Sequence, residues 1–372
     1  MKAAILNEMG RSRPYANSRP LVVEDVHLDP PGFGELLIKI KATGLCHSDL
    51  SVINGDRPRP MPMILGHEAA GEVEECGAGV TDLKPGDHVV LAFVPSCGSC
   101  LPCMEGRPGL CEPGARANGA GTLLSGARRL TFHQEPIYHH IGVSGYAEYA
   151  VVSRRSAIKV DSSLPAHEAA LFGCAVLTGV GAVINTGKVP AGSSVAVVGL
   201  GGVGLSSLLA ANLVGAAEIV AVDTNSQKLE VASRLGATKT VKVGPDVIKE
   251  VRDLTNGGVD FAFEMASSVP ALQLAFDITK RGGTTVTASL PHPEHRLSIS
   301  AVLLTAEERT LKGSYVGSCV PARDIPRFIS LYQQGKLPVD KLLSEIVSLE
   351  ELNEAFDRLA EGKSIRQVMT FH

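Results

Sequence analysis

The sequence predicts an α/β chain in two domains: one a doubly wound parallel sheet, the other built mainly from short strands. Three observations lead there. Residues 176–317 alternate apolar, strand-length runs with helix-like segments. The run Gly199-Leu200-Gly201-Gly202-Val203-Gly204 falls between one such strand and the helix after it. Residues 1–175 read instead as short strands separated by Pro/Gly turns. At 372 residues the chain also exceeds one ordinary hydrophobic core.

In chain order, Val22-Val23 and 36–40 are strand runs separated by Pro30-Pro31-Gly32, and 71–75 and 88–93 flank the turn Lys84-Pro85-Gly86-Asp87. From 112 to 145 the pattern weakens, with Gly and Ala clustered at 114–127 and basic residues following. That segment reads as a functional or interface loop. Strands are then expected at Ser194–Val198, 218–222, Val259–Glu264 and 283–288, with helices over 203–214 and 226–235. This alternation implies parallel βαβ units. The tail ends in an amphipathic helix over 349–360 and a short strand, Gln367–Thr370. The expected domains are 1–175 with 318–372, and 176–317.

Apolar residues make up 44% and charged residues 20%, a globular balance. With no Trp, six Tyr and ten Phe, the cores must rest on Val, Leu, Ile and Ala. A net charge of −4 offers no positive field for nucleic acid or an anionic membrane, so neither is an expected partner. The N-terminus has no apolar signal core. The apolar stretch 195–217 is broken by glycines, two serines and Asn212, and reads as strand, turn and helix rather than a span. Eight Cys, most at metal-like spacing, argue for a reducing, cytoplasmic setting.

Cys97-x2-Cys100-x2-Cys103-x7-Cys111 is compact enough to fold around one ion. Four thiolates suit zinc, close a tetrahedron and leave no open position, so the role is structural. Disulfides, an iron–sulfur cluster and a nucleic-acid-binding zinc ribbon are rival readings; the last gains only Arg107 as positive charge in the loop. A wider-spaced set, Cys46, His67 and Cys174, can hold a zinc with one position open. Neither Cys46 nor His67 is persuasive alone. Cys76 and Cys319 fit neither pattern and read as buried or incidental thiols.

The glycine run has the context that dinucleotide binding needs. Its glycines permit a tight turn and close approach of a pyrophosphate, and the helix N-terminus presents free N–H groups to the phosphates. Asp223 ends the next strand, where a carboxylate accepts bonds from ribose hydroxyls and repels a 2′-phosphate; NAD is favoured over NADP.

Gly66-His67-Glu68-x2-Gly71-x5-Gly77-x2-Val80 resembles the zinc-binding signature of the zinc-containing alcohol dehydrogenases, in the medium-chain dehydrogenase/reductase superfamily. The likeness covers essentially the whole chain. It takes in Gly44-Leu45-Cys46-His47-Ser48-Asp49, the four-cysteine loop, Gly173-Cys174, the glycine run and Gly362-Lys363-Ser364-Ile365-Arg366. It implies a Rossmann domain plus a β-rich GroES-like catalytic domain. By the same likeness each chain holds two zinc ions, a catalytic one on Cys46, His67 and Cys174 and a structural one on the four-cysteine loop. The implied reaction is reversible hydride transfer between a primary or secondary alcohol and NAD. The S-(hydroxymethyl)glutathione/formaldehyde branch and a redox-silent NAD-binding relative are the alternatives.

The resemblance also assigns roles. Ser48 takes the alcohol proton toward the nicotinamide ribose. Many relatives end this relay with a histidine where this chain has Ser51, so release directly to water is expected. Asp49 and Glu68 are either carboxylates that orient ligands near the ion or ordinary solvated acids. Coenzyme contacts fall to His47, Thr178, Gly199, Gly201, Gly202, Val203, Gly204, Asp223, Lys228 and Arg366, with His47 and Arg366 on the pyrophosphate. Phe93, His140 and Ile141 line the alcohol pocket. Arg57 and Arg116 lie near its mouth, as attractors of an anionic substrate or as solvated side chains. The site is expected between the domains, at the carboxyl ends of the parallel strands. The length of 112–145 resembles the dimeric members, so a homodimer is expected, with 298–304 and 310–316 supplying strands at a two-fold interface.

Overall fold

Alternation along Glu35–Gly44 makes it the centre of the strand-rich part: Leu36, Ile38 and Ile40 enter one buried core with Val73, Val89, Leu91 and Val152. Each such side chain contributes roughly 1.5–3 kcal/mol on burial. This strand pairs antiparallel with Glu68–Cys76, Tyr149–Ser153 and Gln367–Thr370 in a seven-stranded sheet. The Lys84–Asp87 turn forms as its residues require, with Asp87 Oδ2 accepting from Lys84 N at 3.1 Å. A second sheet of six strands runs Leu21–Asp25, Lys2–Leu6, Met63–Ile64, Glu135–His139, Leu130–Phe132, His27–Leu28.

These features come from a computed structural model, which describes residues 1–371. The chain divides into two units. One comprises Met1–Cys174, Val320–Ile329 and the chain from Leu343 on; the other comprises Ala175–Cys319 and Ser330–Leu342. Ser330–Leu342 therefore packs with the parallel-sheet unit, although it was expected with the tail.

The second unit is a six-stranded sheet in which every pairing is parallel. Its order is Lys239–Lys242, Glu218–Asp223, Ser194–Val198, Val259–Glu264, Thr279–Thr287, Thr310–Gly313. That is the 3-2-1-4-5-6 order of a Rossmann sheet, with its switch point between Ser194–Val198 and Val259–Glu264. Helices Gly202–Leu213 and Ser226–Arg234 occupy the expected intervals.

Three sequence expectations are corrected. Segment 112–145 is not a bare loop: it holds the helix Glu112–Ala120 and the strands Leu130–Phe132 and Glu135–His139. It is anchored by buried Glu35, which accepts from Ser125 Oγ at 2.6 Å and Arg129 Nε at 2.9 Å. Residues 298–304 do not form a strand; Ala301–Ala306 is a helix. The C-terminal helix begins at Leu352 rather than 349.

That last helix also holds the N-terminal arm. Asp357 accepts from Tyr15 N and Ala16 N, both at 2.9 Å, capping the short helix Tyr15–Ser18. Replacing Asp357 with Ala would strand the buried Tyr15 N–H, a loss of about 3 kcal/mol for bonds to a charged acceptor. We expect the melting temperature of Asp357→Ala to fall by about 6 °C or more, measured by calorimetry; Asp357→Asn, which keeps one acceptor, should recover part of the loss.

Candidate metal and coenzyme sites

Sheet register brings the first metal cluster together. Gly44 pairs with Glu68, so Cys46, just past one strand end, meets His67, just before the other strand begins. Cys46 then caps the helix His47–Ile53, its carbonyl accepting from Asp49 N and Leu50 N at 3.1 Å each. The turn after Ala166–Leu171 continues through Gly173 N to Ala170 O and sets Cys174 beside both. The ligand atoms of Cys46, His67 and Cys174 all lie within 4.8 Å of one another, and all three residues are buried.

The His67 ring is held from one side. Its Nδ1 meets Asp49 Oδ1 at 3.0 Å, whereas Nε2 is buried with no hydrogen-bond partner. A buried imidazole nitrogen left bare beside two thiols is costly unless a cation takes its lone pair. The residues present therefore fit a metal ion. Electrostatics agree. Burial opposes a charged His67, but the charges of Asp49 and Cys46 outweigh it and push its pKa up to about 10. The Cys174 thiol donates to Cys46 and, ahead of the opposing effect of burial, draws Cys46 well below the ordinary thiol range; Cys174 is raised by the same contact. The pocket is built to stabilise positive charge between a thiolate and an imidazole.

Asp49 is fully buried beneath this cluster. Gly66 N reaches Oδ1 at 3.1 Å, Tyr146 Oη reaches Oδ2 at 3.3 Å, and His140 Nδ1 lies 3.2 Å from Oδ1. Burial works against its ionisation, but His67 and His140 hold the carboxyl well below the usual carboxylate range. Glu68, also buried, accepts from Arg366 Nε at 3.1 Å. Both carboxylates are thus partnered beneath the cluster, not solvated.

The four-cysteine loop closes as its spacing requires. Cys97, Cys100, Cys103 and Cys111 place their sulfurs within 4.8 Å of one another. Backbone N–H groups already point at them: Cys97 N to Cys111 Sγ at 3.1 Å, Cys100 N to Cys97 Sγ at 3.3 Å and Gly114 N to Cys111 Sγ at 3.3 Å. Bonds from Ser99 lead the effects that lower Cys97 to about 6. Burial works the other way on Cys103, pushed up to about 12, and on Cys111, also raised; all eight cysteines are free of disulfides.

In the parallel-sheet unit, Gly199 adopts φ +92°, a left-handed conformation that favours glycine. A Cβ on Gly204 would lie 1.8 Å from Gly199 O, so helix Gly202–Leu213 packs on its strand only because that side chain is missing. Gly201 has open space around it. Asp223 accepts from Leu200 N at 2.7 Å and Asn225 N at 2.8 Å, locking the glycine turn to the next strand end. Beside it opens a cavity of about 550 Å³ lined by Val222, Val243, Ile248, Ala271 and Leu274. An apolar slot next to a carboxylate suits a flat base with its sugar hydroxyls.

Two family models match the chain, one described as the alcohol dehydrogenase GroES-like domain over residues 32–162 and one as zinc-binding dehydrogenase over 202–334. Among solved structures, an alcohol dehydrogenase zinc-binding domain protein from Burkholderia ambifaria is 34% identical with a TM-score of 0.93, the alignment covering 100% of this chain and 98% of that one. The benzyl alcohol dehydrogenase of Acinetobacter calcoaceticus is 32% identical, also at 0.93, covering 100% and 99%. This chain belongs to the zinc-type alcohol dehydrogenase family. A third member-like structure, a zinc-binding dehydrogenase from Sinorhizobium meliloti 1021, is bound to NADP and is 27% identical, with a TM-score of 0.80 and coverage of 100% and 99%.

Two of the predicted side chains are taken up by buried carboxylates. Arg366 is only 3% exposed and engaged by Glu68, so it does not present a free cation. His140 is turned toward Asp49 and is 2% exposed, not a free wall of an alcohol pocket. Phe93 packs edge-on to His67 at 5.2 Å, and Ile141 is buried at φ +41°. Ser48 and Lys228 are half-buried, Thr178 is buried and His47 is exposed. Ser51 donates to His47 O at 2.8 Å. Arg116 is exposed on helix Glu112–Ala120, and Arg57 is half-buried. Sequence reading missed Tyr146 and the His140–Asp49 contact, because nothing local marks either residue as a neighbour of Asp49. Among the described residues, no helix is long and apolar enough to cross a membrane.

Proposed function

We propose that this protein is a zinc- and NAD-dependent alcohol dehydrogenase that interconverts a primary or secondary alcohol and its aldehyde or ketone. One observation carries the reading: the buried Cys46–His67–Cys174 set, with His67 Nε2 left without a protein partner. When bound there, zinc supplies a Lewis acid for the substrate oxygen, and NAD supplies the hydride acceptor. The chain does the rest. Two sulfurs and a neutral imidazole balance a dication, which suits a site without solvent. Asp49 fixes the His67 ring so that Nε2, not Nδ1, faces the cluster. The Ser48 hydroxyl takes the substrate proton, and no histidine follows at Ser51 to carry it further. Glu68 holds Arg366 in place, while the glycine turn, the Gly202–Leu213 helix N-terminus and Asp223 bind the dinucleotide, with Asp223 favouring NAD.

The four-cysteine loop is proposed to hold a second, structural zinc. Eight unpaired thiols, six of them gathered in the two metal-like sets, favour a reducing compartment such as the cytoplasm. A homodimer through the Thr310–Gly313 sheet edge is supported by the exposed helix beside it in sequence, where Val302 is 64% exposed.

The test is NADH formation at 340 nm across primary, secondary, aromatic and acidic alcohols, with NADP as a parallel acceptor. Activity should appear with NAD, exceed that with NADP, and vanish on chelation and return with zinc. Zinc-replete protein inert toward every alcohol class would overturn the proposal.

A further inference from the structure

Asp49 is a crowded carboxylate, and the residue that crowds it most unexpectedly is His140. Its Nδ1 lies 3.2 Å from Asp49 Oδ1, the same oxygen that meets His67 Nδ1 at 3.0 Å and Gly66 N at 3.1 Å. The His140 contact is a close polar approach whose alignment falls short of a full hydrogen bond. The two imidazoles also touch directly, edge to face, with centroids 5.6 Å apart and planes at 83°. Phe93 makes the matching contact at 5.2 Å and 83°. The His67 ring is therefore bracketed by Phe93 and His140, and its bonding carboxylate is gripped by His140 as well.

Three roles are open to such a residue. A pocket wall would present its ring to substrate, but His140 is 2% exposed and its backbone N is tied to Ser144 Oγ at 2.9 Å. A ligand to a second ion would need Asp49 and His67 as co-ligands, since these three form a compact group. Yet His67 Nδ1 is already spent on Asp49, and its other nitrogen faces the sulfurs. What remains is orientation. A carboxylate that can swing lets its imidazole swing with it, and a ligand held loosely releases its metal sooner.

We infer that His140 is a positioning residue for the metal centre: by bracketing the His67 ring and pinning Asp49 Oδ1 it fixes the direction of His67 Nε2. This inference rests on Cys46, His67 and Cys174 holding a zinc ion. His140 touches neither the metal nor the substrate; it acts through Asp49 and His67.

Two substitutions separate its two contacts. His140→Phe keeps an aromatic edge against His67 but removes the N–H facing Asp49; His140→Asn keeps a donor at the Nδ1 position but removes the ring. Zinc transfer from purified enzyme to a chromogenic chelator is followed in time, with zinc of the four-cysteine loop as internal reference. The His140→Phe enzyme should lose its first zinc about 10-fold faster or more, with His140→Asn within about threefold of the parent and the reference phase unchanged. Cobalt-substituted His140→Phe should also show a shifted d–d absorption, a signature that packing elsewhere would not move. Should the Phe variant not fold, His140→Ala carries the same expectation. Parental release rates and an unaltered cobalt spectrum would overturn the inference, as would an effect confined to KM across alcohols of different size. A parent that holds one zinc per chain and lacks the faster phase would instead sink the proposed function itself.

Discussion

Replacing His67 with Ala is expected to cut alcohol oxidation about 10⁴-fold, or roughly 5.4 kcal/mol of transition-state stabilisation, and to remove one of two metal equivalents per chain. The ring supplies the sole nitrogen of the Cys46–His67–Cys174 set. Two thiolates alone leave a dication short of ligands in a buried site, and water fills the gap at the expense of Lewis acidity. The Ala variant also empties a fully buried position and takes a partner from Asp49, so part of its loss could be structural. His67→Gln removes that ambiguity. Its amide can still donate to Asp49, while its carbonyl is a poor zinc ligand beside two sulfurs. Zinc content by atomic absorption and kcat on the best alcohol should fall together in both variants, with the four-cysteine loop keeping its ion. A Gln enzyme that holds both equivalents and more than about a tenth of parental kcat, a difference under 1.4 kcal/mol, would take His67 out of the ligand set.

What the sequence made legible follows from how local each signal is. The strands Ser194–Val198 and Val259–Glu264 match their expected bounds, because a buried parallel strand reads as a nearly continuous apolar run, interrupted in the second only by Asp260. The four-cysteine loop is equally local, since all its sulfurs come from one short segment. Segment 112–145 was misread for the opposite reason. Leu130–Phe132 and Glu135–His139 pair with each other as a hairpin, but its turn, His133-Gln134 at positive φ, lacks the glycine or asparagine that announces one, and the outer edges pair with the distant His27–Leu28 and Met63–Ile64. Helix Glu112–Ala120 has three glycine or asparagine positions and is capped by the Cys111 sulfur accepting from Gly114 N, neither of which reads as helix. The strand that the family resemblance implies over 298–304 is absent; the helix Ala301–Ala306 found there buries none of its residues within the chain. The wide metal set lies between these cases. Its residue types were visible, but that Cys46 and His67 meet depends on Gly44 facing Glu68 across two strands. His140 shows the limit: only the folded chain puts it beside Asp49.

The second large effect is expected at Gly204, where one methyl group should raise the KM for NAD about 100-fold or more, equivalent to some 2.7 kcal/mol, and lower the melting temperature as well. The added Cβ would sit 1.8 Å from Gly199 O and 3.0 Å from Gly199 C, which is backbone and cannot rotate away. Relief therefore requires helix Gly202–Leu213 to lift from its strand by more than about 1 Å. That helix cannot move alone. Gly199 N is bonded to Val222 O at 2.9 Å and Leu200 N to Asp223 Oδ2 at 2.7 Å, so the shift drags the carboxylate assigned to the ribose along with the phosphate-facing N–H groups. Gly201→Ala tells a packing defect from a ligand defect. A Cβ there meets nothing within 4 Å, so stability should stay at the parental level; yet the same open space is where a pyrophosphate would approach, and NAD binding by fluorescence titration should still weaken. Loss of stability in both variants would mean the turn is simply fragile. Loss of coenzyme affinity in both, with loss of stability only at Gly204, is the pattern that a dinucleotide seated on this turn demands.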